Sequence, residues 1–153
     1  MGERPTVKVY TAPGARLPKR ATPEAAGMDV HALLESDTYI EIPPGERITI
    51  PTGLYFQIPP GWFISLRPRS GLALKKGLTL PNTPATIDSD YRGELKVALI
   101  NLGTKNAVIE NGDRIAQLLL EKVHEFEWEQ VPRFDELDES ERGSGGFGST
   151  GLA

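Results

Sequence analysis

Asp88 and Asp90 stand two residues apart in the stretch Thr86-Ile87-Asp88-Ser89-Asp90-Tyr91-Arg92-Gly93-Glu94. A carboxylate held on a rigid turn can position a water and accept its proton, which is general-base chemistry. Tyr91 adds an aromatic face and Arg92 a cation. The same residues also suit a solvated polar turn, so their meaning depends on what the rest of the chain brings to them. An alternating run follows at once, with Leu95, Val97 and Leu99 on one face and Lys96 and Ala98 on the other. That is the period of a half-buried strand. Pro81 and Pro84 precede it and suit turns and strand edges. The expectation is a hairpin that carries Asp88, Asp90 and Tyr91 into a core strand.

A second stretch could hold an anion. Arg67-Pro68-Arg69-Ser70-Gly71-Leu72-Ala73-Leu74-Lys75-Lys76-Gly77 has the pattern of a very short helix. Ser70 is placed as its N-cap and Gly77 as its terminating residue. Lys75 and Lys76 fall in the last turn, where they complement the helix dipole. The start of such a helix offers free backbone N–H groups, the Ser70 hydroxyl and the Arg69 guanidinium. A capped connector with a solvated arginine is the plainer alternative. Two polar residues then intrude where apolar ones are expected. Asp29 lies within Ala25-Ala26-Gly27-Met28-Asp29-Val30-His31-Ala32, and Gln117 interrupts Ile115, Ala116, Leu118, Leu119 and Leu120. A buried glutamine must find partners in the core, at a pocket or at a subunit contact; Asp29 could simply bond the local backbone.

The elements that position these groups are short strands. Residues 6–10 read as a first strand and residues 25–32 lead into a second. Ile40 and Ile42 alternate with Tyr39 and Glu41, Ile48 and Ile50 with Arg47 and Thr49, and Leu54, Phe56 and Ile58 with Tyr55 and Gln57. Pro43-Pro44-Gly45 and Pro59-Pro60-Gly61 make turns, and Trp62 to Arg67 forms a further strand. Asn101 to Lys105 reads as a loop. Asn111-Gly112 is a hairpin signal between Ala107-Val108-Ile109 and the next strand. That strand, Asp113 to Val123, is apolar enough to be buried on both faces. Phe126 and Trp128 alternate with glutamates, as in a one-sided strand. The pattern predicts an all-β antiparallel sandwich or barrel with one short helix.

Composition narrows the function. The 153 residues suit a single folded domain. A net charge of −4 gives no global field for nucleic acid, so a polyanionic substrate needs local positive charge. Without cysteine there is no disulfide framework, no thiol chemistry and no His/Cys/Cys zinc site. No run approaches a membrane span, and Glu3, Arg4 and Pro5 stand where a secretory leader needs apolar residues. From Arg133 the chain becomes acidic, through Asp135, Glu136, Asp138, Glu139 and Glu141, and ends Arg142-Gly143-Ser144-Gly145-Gly146-Phe147-Gly148-Ser149-Thr150-Gly151. This tail is either a flexible glycine-rich end or a mobile clamp for phosphate and base. Its literal G-x-G-x-x-G, at Gly143, Gly145 and Gly148, lacks the strand before and the helix after that a dinucleotide fold requires. A P-loop lysine is also absent, with Ser149 in its place.

Taken together, five ordered segments resemble the homotrimeric deoxyuridine triphosphatases (dUTPases), which are jelly-roll proteins. They are Ala25 to Val30, Pro68 to Ala73, Asn82 to Glu94, Gly112 to Leu118, and Arg142 to Gly151. Met28 and Ala85 depart from the family pattern, standing where an aromatic and a glycine are frequent. The resemblance implies hydrolysis of dUTP to dUMP and pyrophosphate with Mg2+, limiting uracil in DNA and supplying dUMP for thymidylate synthesis. It implies Asp88 as the residue that activates water, and Asn82, Thr86, Ile87 and Tyr91 around the uracil and deoxyribose. Arg69, Ser70, Gly71 and Gln117 would hold phosphates, and Asp29 would lie near magnesium. Arg142, Phe147, Gly148 and Ser149 would come from another subunit's tail. The expected organisation is a jelly-roll catalytic core, 1–134, and a flexible C-terminal arm, 135–153. The expected assembly is a cytoplasmic homotrimer with active sites between subunits and no nucleic-acid or membrane partner. The rivals are a dCTP deaminase or bifunctional deaminase-triphosphatase on the same fold, and a non-catalytic nucleotide sensor.

Overall fold

The computed structural model describes residues 4–151. Ten strands and one short helix follow one another in this range. They are β1 (Lys8–Thr11), β2 (Met28–His31), β3 (Tyr39–Ile42), β4 (Arg47–Gln57), β5 (Trp62–Arg67), α1 (Ser70–Lys76), β6 (Leu78–Thr79), β7 (Ala85–Ile87), β8 (Glu94–Asn101), β9 (Ala107–Glu110) and β10 (Arg114–Lys122). Two four-stranded sheets, ordered β1-β4-β8-β6 and β2-β10-β5-β7, are joined by a small sheet of β3 and β9. Every pairing is antiparallel. The fold is all-β and antiparallel, as the strand pattern predicts, and is the jelly roll that the family resemblance implies. Its core takes inward residues from all three sheets, among them Val30, Ile50, Ile64, Val97, Ile109 and Ile115. In β8 the burial alternates as the sequence pattern requires, with Leu95, Val97 and Leu99 inside.

Several elements differ from the sequence expectation, each for a physical reason. The two strands expected around Ile48–Ile50 and Leu54–Ile58 form one bulged strand, β4, whose pairing with β8 shifts between Pro51 and Tyr55. Gly53 makes the bulge possible. Its φ is +68°, a Cβ there would lie 2.6 Å from the Leu33 side chain, and its N–H donates to Glu94 Oε1 at 3.0 Å. Asn111-Gly112 does turn the chain, but β9 pairs with β3 while β10 pairs with β2 and β5. The turn therefore passes the chain between sheets and closes no hairpin. The same holds between β7 and β8, which lie in different sheets. Local turn chemistry sets a reversal of direction; it does not choose which sheet edge receives the next strand.

The helix begins one residue earlier than a Ser70 N-cap would place it. Arg69 is the extended cap residue, and neither it nor Ser70 makes a side-chain capping bond. Gly77 ends the helix in the left-handed conformation, φ 70°, as expected. Asn101, expected to begin a loop, closes β8 and is fully buried. Its amide donates to the carbonyls of Ile42 (2.7 Å) and Lys105 (2.8 Å), and its Oδ1 accepts from Gly103 N (2.8 Å). Ala85 is buried in β7, and the positive-φ non-glycine residues among those described are Asp37 and Phe147. Alanine is thus fully compatible with this position. Phe126 and Trp128 form no strand; their rings pack edge to face at 4.9 Å and stay exposed, because no strand among the described residues pairs with them. On β10, Ile115, Ala116 and Leu118 are buried but Leu119 and Leu120 are only half-covered, so one chain buries this strand incompletely. The acidic segment holds a single 3-10 turn, Phe134–Glu136.

His31 ends β2 with its Nδ1 buried and without a hydrogen-bond partner. Its pKa is lowered, first by burial and then by the Arg16 guanidinium; Asp29 opposes the shift, and Arg114 and Arg69 reinforce it. Between that lowered value and the unfolded value of about 6.5, the unfolded chain binds more protons than the folded one. Stability is therefore lost as pH falls below the unfolded pKa. Chemical denaturation at pH 7.5 and 5.5 should show a smaller acid loss for His31→Gln than for the unaltered protein. Equal losses would assign the acid sensitivity to other groups.

Candidate active site

Strand pairing brings three of the predicted residues together. Gln117 on β10 lies opposite Asp29 on β2 and opposite Arg67 on β5. The chain leaves β5 through Pro68 to Arg69, whose side chain turns back across β10. Arg69 Nε donates to Asp29 Oδ1 at 3.0 Å, and its Nη1 reaches the Arg114 carbonyl at 3.4 Å. Gln117 Nε2 donates to the Pro68 carbonyl at 3.0 Å, which holds the turn into the helix. Gly27 lies beside it: a Cβ there would lie 2.6 Å from Gln117 Oε1 and would displace that amide from its present position. The polar intrusions at positions 29 and 117 are therefore one structure, built around the start of α1.

Asp29 is the electrostatic centre of this half-site. Arg114 Nη1 stands 3.6 Å from its Oδ2, on the opposite side from Arg69. The carboxylate is well covered, with a side-chain exposure of 21%, against 26% for Arg69 and 55% for Arg114. The two arginines and one aspartate leave a net single positive charge. Ser70 and Gly71 lie next to it, exposed, at the helix end whose first N–H groups have no intrahelical acceptor. A Cβ at Gly71 would meet nothing within 4 Å, so that side of the site is open. Chemically, the arrangement can take up an anion. Arg114 has a place in it that the sequence reading did not assign, although it lies within the quoted segment from Gly112 to Leu118.

Asp88 and Tyr91 are elsewhere. β7 pairs with β5 so that Ile87 lies opposite Ile64, with Asp88 one residue beyond. Gln117 lies opposite Arg67 on the other edge of β5. At about 3.3 Å per residue, Asp88 and Gln117 are about 13 Å apart along the strands and roughly 10 Å apart across them. Arg69 is further still, since its guanidinium points away from β7, toward β2. Asp88 is exposed, and its carbonyl accepts from Tyr91 N at 3.2 Å. Tyr91 is half-exposed, with its hydroxyl donating to the Glu94 carbonyl at 3.0 Å. Gly93 permits this: a Cβ there would stand 2.4 Å from the Tyr91 hydroxyl. Asn82 sits in an exposed turn, Thr86 is exposed and Ile87 half-buried. These residues share one edge of the sheet, apart from the anion half-site.

The tail residues form a third group. Arg142 Nε donates to the Gly145 carbonyl at 2.6 Å, and the turns through residue 151 are closed by local backbone bonds. Phe147 has positive φ and is fully exposed. No hydrogen bond found among the described residues joins residues 142–151 to the strands. One chain thus presents three separated sets of functional groups. Asp29 is not accompanied by further carboxylates, and no group of three His, Cys, Asp or Glu side chains suited to a metal occurs among the described residues.

The chain as a whole is similar to known proteins. Residues 14–151 match the family described as dUTPase. A deoxyuridine 5'-triphosphate nucleotidohydrolase of Desulfotalea psychrophila is 54% identical over 136 residues, covering 89% of this chain and 87% of that protein. One of Maricaulis maris is 50% identical over 138 residues, covering 90% and 89%. Among solved structures, a mutant dUTPase of Staphylococcus bacteriophage 80alpha with dUpNHpp gives a TM-score of 0.81 at 28% identity, over 96% of this chain and 99% of that one. A mutant dUTPase of phage phi11, whose structure concerns coordination of a structural Mg(II) ion, gives 0.73 at 24% identity over 85% and 99%, a likeness of fold. With a family match across nearly the whole length and relatives at half identity, this chain, with its anion half-site and its separate carboxylate turn, belongs to the dUTPase family.

Proposed function

We propose that the protein hydrolyses dUTP to dUMP and pyrophosphate, in sites composed from more than one copy of the chain in a homotrimer. The observation that carries this reading is the separation of Asp88 from the Asp29–Arg69–Gln117 cluster in a chain of this family. Asp88 cannot direct a water at a phosphate held by its own chain's Arg69. The turn of one copy set against the anion half-site of another closes that gap. The half-covered Leu119 and Leu120 support an apolar contact between copies.

In this reading Arg69, Ser70, Gly71 and Gln117 bind the phosphates. Asp88 orients a water toward the α-phosphorus and takes its proton. Tyr91, held by Gly93 and the Glu94 carbonyl, packs against deoxyribose and excludes a ribose 2′-hydroxyl. Asn82, Thr86 and Ile87 present the polar edge that reads uracil; a cytosine would leave buried donors and acceptors unpaired, which is costly. Residues 4–134 form the catalytic core, and the arm brings Arg142, Phe147, Gly148 and Ser149 over a neighbouring site. Phe147 stacks on the base and Arg142 meets phosphate, while closure removes bulk water.

Magnesium fits this chain as a companion of the triphosphate. Asp29 has one oxygen only loosely engaged, and the described residues offer no protein cage. Asp29 would contribute to holding a hydrated Mg2+ beside the substrate phosphates, an arrangement that suits an ion which keeps most of its waters. The ion offsets phosphate charge. Among the described residues no helix is long and apolar enough to cross a membrane; a cytoplasmic location is part of the proposal.

Pyrophosphate release should be measured with dUTP, dCTP, dTTP and UTP in the presence of magnesium, with ammonia assayed in parallel. Release from dUTP alone, without ammonia, is expected. Ammonia from dCTP would transfer the protein to the deaminase reading, and binding without turnover would make it a sensor. Asp88→Asn should lower kcat by about 10²- to 10⁴-fold while nucleotide still binds; a near-normal rate would move the base elsewhere. Ending the chain after Glu141 should leave a folded assembly by sedimentation, with kcat/KM reduced about a hundredfold or more. An active truncated protein would remove the arm from the mechanism.

A further inference from the structure

We infer that the acidic segment before the arm docks, from one copy of the chain, into a lysine-lined cleft at the far end of α1 of another copy. The inference rests on the dUTP reading above, in which that arm closes over a neighbouring site. The cleft has a volume of about 650 Å³ and lies between the end of α1 and the loop that joins β8 to β9. Lys75 and Lys76 approach it from the helix and Lys105 from the loop, and among the described residues no carboxylate lines it. Three cations therefore stand together in a chain whose net charge is −4. Leu74 and Val108, both exposed, add apolar wall.

The two sides of the cleft are fastened to each other. Leu102 N donates to the Gly77 carbonyl at 2.8 Å, and a Cβ at Gly77 would lie 2.4 Å from Gly103 N. The buried amide of Asn101 donates to the Lys105 carbonyl at 2.8 Å and accepts from Gly103 N at 2.8 Å, which fixes the course of the loop under Lys105. Lys76 Nζ donates to the Val108 carbonyl at 3.3 Å and ties the helix to β9. Lys75 and Lys105 have no ion pair among the described residues. Lysines in a last helical turn complement the helix dipole. That accounts for Lys75 and Lys76 and leaves Lys105, in the loop, without a reason. Three like charges around one cleft repel one another, and an anionic occupant relieves the repulsion.

The chain carries a segment of matching chemistry. Residues 135–141 hold five carboxylates in seven positions. Arg133 takes up two of them, Asp135 at 3.1 Å and Glu136 at 3.7 Å. Asp138, Glu139 and Glu141 have no ion pair among the described residues, so three carboxylates match three lysines. Leu137, exposed beside them, matches the apolar wall. Within one chain, no hydrogen bond or ion pair among the described residues joins 135–141 to α1 or to residues 103–108. Length fits as well. α1 has seven residues and is therefore about 10 Å long. Its start lies in the anion half-site and its end in the cleft. Three extended residues also cover about 10 Å. With Glu139 in the cleft, Arg142 reaches the start of α1, where the reading above sets it against phosphate. Docking the segment thus keeps the arm at a high local concentration over the half-site.

Two measurements on the full-length protein test this. A carbodiimide joins a carboxylate directly to a lysine amine in contact with it. In the substrate-free protein it should link Asp138, Glu139 or Glu141 to Lys75, Lys76 or Lys105, identified by mass spectrometry in a band of twice the chain's mass. Links at those residues within a single chain, links of the segment only to other lysines, or no links would each overturn the inference. The second measurement reverses charge. Lys75→Glu with Lys105→Glu should raise the KM for dUTP about three- to tenfold, the scale of a few exposed ion pairs. Asp138→Lys with Glu139→Lys should raise it as much, although added positive charge by itself would favour a triphosphate. The four changes together should return KM to within about twofold of the unaltered protein. An unchanged or lowered KM in either reversal, or losses that add in the combined protein, overturns the inference. Should a reversal disturb folding by circular dichroism, the cross-link in the unaltered protein decides alone. Absence of dUTP turnover in the unaltered protein would instead count against the functional reading, and the cross-link would still report on the docking.

Discussion

The pairing of β5 with its two neighbours is the constraint on which the rest of the structure depends. On one side it sets Gln117 opposite Arg67, and on the other Ile87 opposite Ile64. A slip of one residue in either ladder would invert the faces of every side chain on that strand. The core residues Ile64 and Leu66 hold the register, because both are almost wholly buried and would otherwise be driven into solvent. The anion half-site and the carboxylate turn are thus fixed at opposite ends of one strand by apolar packing. Their separation is a property of the sheet and does not depend on any polar contact between them.

Within the half-site, Asp29 has the organising role. It is mostly covered, and a covered carboxylate needs partners. Two arginines supply them from different elements, the connection after β5 and the start of β10. Partly exposed ion pairs of this kind contribute on the order of 1 kcal/mol or less to stability. The cluster is therefore poorly explained as a source of stability and well explained as a way to place cations. Buried Asn101 provides a contrast. It has no charge, its amide is satisfied by three backbone groups, and it ties the loop after β8 to β3. One polar group orders the fold and the other orders a surface that can receive a ligand.

The exposed groups complete this division. Asp88, Tyr91, Phe147 and the Phe126–Trp128 pair all face solvent in the single chain. In the proposed trimer, what each copy exposes is what another copy lacks. Glycines serve this plan at specific points. Gly93 lets the Tyr91 hydroxyl approach the backbone, and Gly27 lets Gln117 reach across the strand edge. In both cases the missing side chain makes room for a functional neighbour.

Much of the protein was legible in the residues. Alternation of apolar and polar positions in β3, β4 and β8 reads directly as half-buried strand, because the period of two is a local property of extended backbone. Gly77 declared the end of α1, and the polar intrusion at Gln117 declared a need for a partner that the structure satisfies; Asp29, for which a local backbone bond was open, meets arginines from distant segments instead. The resemblance across five segments agrees with the family to which the chain belongs. Long-range choices were hidden. Turn residues at Asn111-Gly112 and after Ile87 specify reversal but not destination, so the expected hairpins became crossings between sheets. The strand expected at Phe126 and Trp128 has the right alternation and no partner strand among the described residues. Arg114 looked like one charge in an apolar motif until pairing with β2 placed it beside Asp29. Periodicity, caps and turns are written in neighbouring residues, and the sequence by itself determined them. Which edges pair, and which charges consequently meet, depends on burying apolar faces from distant parts of the chain, and only the tertiary structure decided that.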